Sequence, residues 1–131
     1  MALRIVQLGS PRAPGEGLRI GTVRRPPRGV PKSEFARRDY YDVWLPALSP
    51  SPALVAEAQA AAAADDDTAW KAFERRFSTE MAAPDAGRLL DLLAALSHGT
   101  ALSIGCYCEQ ERRCHRGVLR RLLQARGAAI D

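Results

Sequence analysis

The chain has 131 residues, of which 47% are hydrophobic and 26% charged, with a net charge of +4. That length suits one globular domain with its own core, and residues 1–131 are expected to form it. No apolar stretch reaches the roughly 20 residues of a membrane span, and the apolar run at residues 1–6 is too short for a signal peptide, so a cytoplasmic protein with no membrane contact is expected.

The first apolar run, residues 3–8, ends at Gly9-Ser10-Pro11 and predicts a strand. A loop rich in proline and glycine follows over 10–17. The alternation in Leu18-Arg19-Ile20-Gly21-Thr22-Val23 predicts a second strand. The next nine residues, Arg24-Arg25-Pro26-Pro27-Arg28-Gly29-Val30-Pro31-Lys32, hold three prolines and four positive charges, which predicts a stiff extended loop. Ser33 is placed to cap a short helical turn ending near Arg38. The aromatic and β-branched run 40–45 predicts a third strand, ended by Pro46.

A helical block begins at residue 51. Ser51 is a good N-cap with Pro52 at the first helical position, and the alanine-rich run to Ala64 has the propensity to follow it. One of Asp65, Asp66, Asp67 or Thr68 caps the next helix, in which Trp70, Phe73, Phe77 and Met81 fall on one face. Pro84 ends that helix and Asp85 opens another, with Leu89, Leu92, Leu93 and Leu96 expected on one side.

Residues 100–108 are the most strand-like segment of the chain, with Leu102, Ile104, Cys106 and Cys108 pointing one way. A last helix begins near Arg113 or Cys114 and buries Val118, Leu119, Leu122 and Leu123. Strands at both ends of the chain, with helices between, predict a small three-layer α/β domain: a mostly parallel sheet with a helical block in the middle of the chain.

Several separated segments resemble one family. These are Gly17-Leu18-Arg19 through Pro27-Arg28-Gly29-Val30-Pro31-Lys32, then Asp42-x-Trp44-Leu45 with Leu48-Ser49-Pro50, and Trp70-x-x-Phe73-x-x-Arg76-Phe77-x-x-Glu80. With the ending Cys106, Cys108, Glu109, Cys114, His115 and Arg116, the chain resembles the longer branch of the YeaO-like family, domain of unknown function 488. The similarity covers most of residues 17–126. An Asp-Arg-Leu-Trp-Pro run of that family is replaced here by Val23-Arg24-Arg25-Pro26-Pro27, so its acid and tryptophan are not carried over. The resemblance implies a small α/β fold and a cytoplasmic bacterial protein, and it brings no established activity.

The chemistry concentrates in two places. All three cysteines and one of the two histidines lie within residues 106–116, in a turn between a strand and a helix, where α/β sheets bind ligands. Cys114 at the helix N-terminus, beside Arg113, His115 and Arg116, is placed for a lowered thiol pKa and for nucleophilic chemistry, with Cys106 and Cys108 as further candidates. His115 also falls on the buried stripe of its helix, which makes a structural histidine the alternative. Cys106, Cys108, Cys114 and His115 together make a tetrahedral zinc set, at a spacing that is not a standard one, so no cofactor is the expectation. A regulated disulfide or three plain buried thiols are further readings.

The second place is the 24–32 loop. Arg24, Arg28 and Lys32, with Arg116 and Glu109 from the turn, are the candidate ligand contacts. Arginine forks suit phosphate or carboxylate, and these charges could instead pair with Glu34, Asp39 or Asp42. Charge is uneven: +5 over 1–45, −4 over 46–99 and +3 over 100–131. If the basic ends meet, they form a face for anions. The leading reading is a rim site that binds, and could act on, a small anionic or phosphate-containing ligand. The alternative is a non-enzymatic nucleic-acid-binding or regulatory module. Nothing in the sequence fixes an enzymatic activity or the oligomeric state.

Overall fold

The computed structural model describes residues 2–131. Four strands, β1 (Leu3–Gln7), β2 (Leu18–Gly21), β3 (Val43–Trp44) and β4 (Leu102–Cys106), form one all-parallel sheet in the order β1-β4-β2-β3. The last strand in the chain is therefore inserted between the first two, pairing Ile104 with Ile5 on one side and with Ile20 on the other. A central parallel strand loses water on both faces, and all five residues of β4 are buried. Four helices, α1 (Pro52–Ala64), α2 (Asp67–Met81), α3 (Pro84–Leu96) and α4 (His115–Ala125), complete the α/β fold expected from the sequence. Among the described residues no helix is long and apolar enough to cross a membrane.

The main core joins one face of the sheet to the helices. Leu3, Ile20, Leu102 and Ile104 meet Leu54 of α1, Leu90 and Leu93 of α3, and Leu119 and Leu123 of α4. The aromatic stripe of α2 lies where its period predicts: Trp70, Phe73, Phe77 and Met81 are all buried, and Phe73 stacks on Phe77 at 5.8 Å. Each fully buried aromatic of this kind contributes about 2–3 kcal/mol. Asp66 caps α2 by accepting the Ala69 N–H at 3.1 Å. In α3 the stripe differs from the expectation. Ala86, Leu90, Leu93 and Ala94 are buried, whereas Leu92 and Leu96 are exposed, because packing against the neighbouring elements selects the side of the helix that carries its small alanines.

The opposite face of the sheet is covered by loops rather than by a layer of helices. Strand alternation sends Arg19 and Ser103 to this side, and Arg19 is completely buried. Its guanidinium bonds both Glu16 oxygens at 2.8 and 2.9 Å, the Ser10 carbonyl at 2.8 Å and the Asp39 carbonyl at 2.7 Å. Glu16 in turn accepts the Ser103 hydroxyl at 2.8 Å. One ion pair thus fastens two loops to β2 and β4. Gly21 is needed beside it, since a Cβ there would lie 2.4 Å from the Tyr41 ring. Tyr41 turns in to cover Gly21, and the strand expected over 40–45 is reduced to Val43 and Trp44.

Burial alone would raise the Glu16 pKa, but the hydrogen bonds from Arg19, Ser103 and the Ala13 N–H bring it down to about 2. The pair therefore stabilises the fold fully above the ordinary carboxyl value of 4.5, and its contribution is lost as pH falls through about 2. Glu16→Gln leaves the Arg19 charge unpaired in the interior and is expected to cost about 3–5 kcal/mol at neutral pH by denaturant unfolding. The difference from the parent chain should narrow steadily between pH 4.5 and about 2. A double replacement, Arg19→Met with Glu16→Leu, should recover much of the loss.

Candidate functional site

The carboxyl ends of β2 and β4 are neighbours in the sheet, so the segments leaving them face each other. From β2 the chain runs through Thr22 and Val23 into the 24–28 arginine–proline loop. From β4 it runs through Tyr107, Cys108 and Glu109 to a 3₁₀ turn, Glu111–Arg113, and then to Cys114, which occupies the N-cap of α4. A cleft of about 1080 Å³ lies between them. Its walls include Arg24, Arg25 and Arg28 on one side and Cys106, Cys108 and Cys114 on the other. His115 and residues of α1, among them Val55 and Ala58, also line it. The two segments singled out from the sequence are therefore brought to one cleft. The Tyr107 hydroxyl ties them by donating to the Arg25 carbonyl at 2.8 Å.

His115 is buried, and its role is set by one hydrogen bond. Nε2 lies 2.5 Å from the Thr22 carbonyl, which can only accept, so Nε2 carries the proton. Phe77 packs edge-on against the ring at 5.6 Å. Burial lowers the imidazole pKa to about 4 despite the Thr22 bond, which keeps the ring neutral near pH 7. Nδ1 is then a lone pair, and it lies 4.0 Å from Cys114 Sγ. The buried position foreseen for His115 and its place among the cysteines are both realised.

The three thiols differ in setting. Cys106 and Cys114 are buried, and Cys108 is exposed at the end of the loop. Cys106 Sγ is 3.8 Å from Cys108 Sγ. Hydrogen bonding from Cys106 and from Cys114 favours thiolate at Cys108 and holds its pKa well below the ordinary thiol range, against the opposing effect of burial. The same sharing raises Cys106 to about 11, and it raises Cys114 as well, with burial adding to both. The helix N-terminus argument favoured thiolate at Cys114. The geometry moves it to Cys108, because Cys114 acts as a donor within the cluster and is cut off from water.

The other candidates divide. Arg24 lines the cleft with its guanidinium anchored on the Pro50 and Ser49 carbonyls, at 3.0 and 3.2 Å. Arg28 is exposed on the cleft wall, whereas Lys32 lies beyond it in the 3₁₀ turn Lys32–Glu34. Arg116 is buried, and it donates to the carbonyls of Cys108 and Glu109, so it holds the cysteine turn in shape. Glu109 lines a smaller neighbouring hollow with Arg112 and Asp65. Sequence reasoning gave no role to Thr22, which orients His115, and left Arg25, which faces the cleft, out of the candidate ligand contacts. Arg113, expected beside Cys114, is held by Asp65 and Asp67 over the Trp70 ring. The signal for Thr22 and Arg25 was their place just after the end of β2.

A family model described as the Active DUF488-N3 subclade matches residues 3–127. The chain belongs to that family. No curated protein and no solved structure matches it.

Exposure and charge predict an order of reactivity among the thiols. In chelator-treated protein, iodoacetamide should label Cys108 at least about tenfold faster than Cys106 or Cys114, as read by peptide mass spectrometry over time. Labelling of Cys108 should persist at about pH 6, where an ordinary thiol is almost fully protonated.

Proposed function

From membership of the DUF488-N3 family and the geometry of the cleft, we propose that this protein binds a small anionic, phosphate-bearing ligand between the 24–28 loop and the cysteine turn. The observation that carries this reading is the meeting of uncommitted arginines with the cysteine–histidine turn on one cleft. The acids that could have neutralised the loop are engaged elsewhere: Asp42 and Asp39 with Arg12, and Glu34 with Arg37. Arg25 and Arg28 form no ion pair among the described residues, while Arg19, Arg113, Arg120, Arg121 and Arg126 all do. A guanidinium left in water beside a concave surface suits a ligand with phosphate or carboxylate oxygens. Tyr40 and Tyr107 meet edge to face at 6.3 Å, and both line the cleft, giving an aromatic surface for an attached ring.

The cysteine turn is where a bound ligand would be acted on. The backbone carbonyls pinned by Arg116 fix the loop that carries Cys108. The rival is nucleic acid, and the wide pairing of the chain's arginines speaks against it, since a backbone track needs many free cations.

Binding of a nucleoside diphosphate, followed by isothermal titration, tests the proposal against that rival. Arg28→Ala and Arg25→Ala should each weaken it by about tenfold or more, and Lys32→Ala should leave it within about twofold, since a charge-assisted hydrogen bond is worth roughly 1.5–3 kcal/mol. Affinity should fall modestly between 50 and 200 mM salt. A loss on the order of a thousandfold over that range, with tighter binding to a single-stranded oligonucleotide, would establish the nucleic-acid reading instead.

A further inference from the structure

The buried half of the cysteine turn has a geometry that anion binding does not require. Sγ of Cys106, Sγ of Cys114 and a ring nitrogen of His115 lie within 4.8 Å of one another, with all three residues buried. We infer that Cys106, Cys114 and His115 bind a zinc-class divalent ion, whose fourth position opens into the cleft.

Distance is the first argument. Tetrahedral zinc with bonds of about 2.3 Å to sulfur and about 2.0 Å to nitrogen needs ligand atoms about 3.6–3.8 Å apart. Cys114 Sγ and His115 Nδ1 are already 4.0 Å apart, so closing on an ion takes shifts of well under an ångström at that edge.

The second argument is the orientation of the imidazole. A metal-bound histidine almost always donates its other ring N–H to a carbonyl or carboxylate, which fixes the tautomer and aims the lone pair. His115 does this toward Thr22. The lone pair is left on Nδ1, the nitrogen that faces the thiols. A histidine buried only for packing has no need to present its free nitrogen to two cysteines.

The third is charge. The ion would displace one proton from each of two thiols, and the two thiolates would balance its +2 charge. The site is then neutral overall, as a buried position requires. The two buried thiolates suffice to balance the ion, and Cys108, the exposed member, lies outside the buried set. Two cysteines and one histidine with an open position is a ligand set of catalytic rather than structural zinc. Cys106 closes the central strand and Cys114 caps α4, so the ligands stand on rigid elements.

That the fourth position serves the anionic ligand rests on the function proposed above, and the metal set itself does not. The test is titration of chelator-treated protein with Co²⁺, followed by Zn²⁺ competition against a chromophoric chelator, with no anionic ligand present. One Co²⁺ per chain is expected, with sulfur-to-cobalt charge-transfer absorption and the visible bands of a four-coordinate ion. Cys106→Ser, Cys114→Ser and His115→Gln should each weaken binding by at least about tenfold, while Cys108→Ser should stay within about threefold of the parent. Should a core variant fail to fold, the parent chain still decides. Zinc should protect Cys106 and Cys114 from alkylation and leave Cys108 reactive. No sulfur-based absorption, or protection of none of the buried thiols, overturns the inference. Loss on Cys108→Ser as large as on the other three overturns the open position. Nucleoside diphosphate binding in the presence of chelator reports separately on the cleft.

Discussion

The hydrogen bond from His115 Nε2 to the Thr22 carbonyl is the contact on which the site depends. It joins the first residue of α4 to the segment leaving β2, and so sets the distance between the cysteine turn and the arginine loop. It also fixes which nitrogen holds the proton, and that fixes what the imidazole offers the thiols. Thr22 itself is held by its own N–H and hydroxyl, both donating to the Gly105 carbonyl at 3.0 Å. The three segments lock one another. Without the Thr22 bond, a buried neutral ring could adopt either tautomer and the lone pair would have no set direction.

The far face of the sheet supplies the stiffness behind that lock. Arg19, buried with Glu16, pins the 10–17 loop and the turn at Asp39 against β2 and β4, the same two strands that end at the cleft. A buried ion pair of this kind adds little net stability over a hydrophobic replacement, yet removal of one partner is costly. Its effect here is to specify a single arrangement of loops over glycine-bearing strands, where few side chains could interlock.

Much of this was legible in the sequence, and for identifiable reasons. Period and caps located α2 through Trp70, Phe73, Phe77 and Met81, and the strand-to-helix corner around Cys106 and Cys114 followed from the apolar run before it and the amphipathic run after it. The family followed from separated segments in order. What stayed hidden depended on tertiary packing. Arg19 sits in an alternating strand pattern, and nothing local reveals that loops will cover its face and bury it. Tyr41 looked like a strand residue until its ring was needed over Gly21. Arg116 is a candidate ligand contact by sequence, and the fold adds a second task, since two of its guanidinium nitrogens donate to the turn's own carbonyls while its buried Nε has no partner among the described residues. The helix position of Cys114 is legible in the sequence, whereas its burial and the exposure of Cys108 are not, because both depend on how the turn packs.

The account turns on the state of one ring, and long-range ¹H–¹⁵N correlation on ¹⁵N-histidine-labelled protein reads it directly. The predicted spectrum shows His115 neutral and protonated at Nε2 from neutral pH down to below pH 5, with charging only near pH 4. A proton on Nδ1, or a ring already charged at about pH 6 like an ordinary histidine, would contradict it.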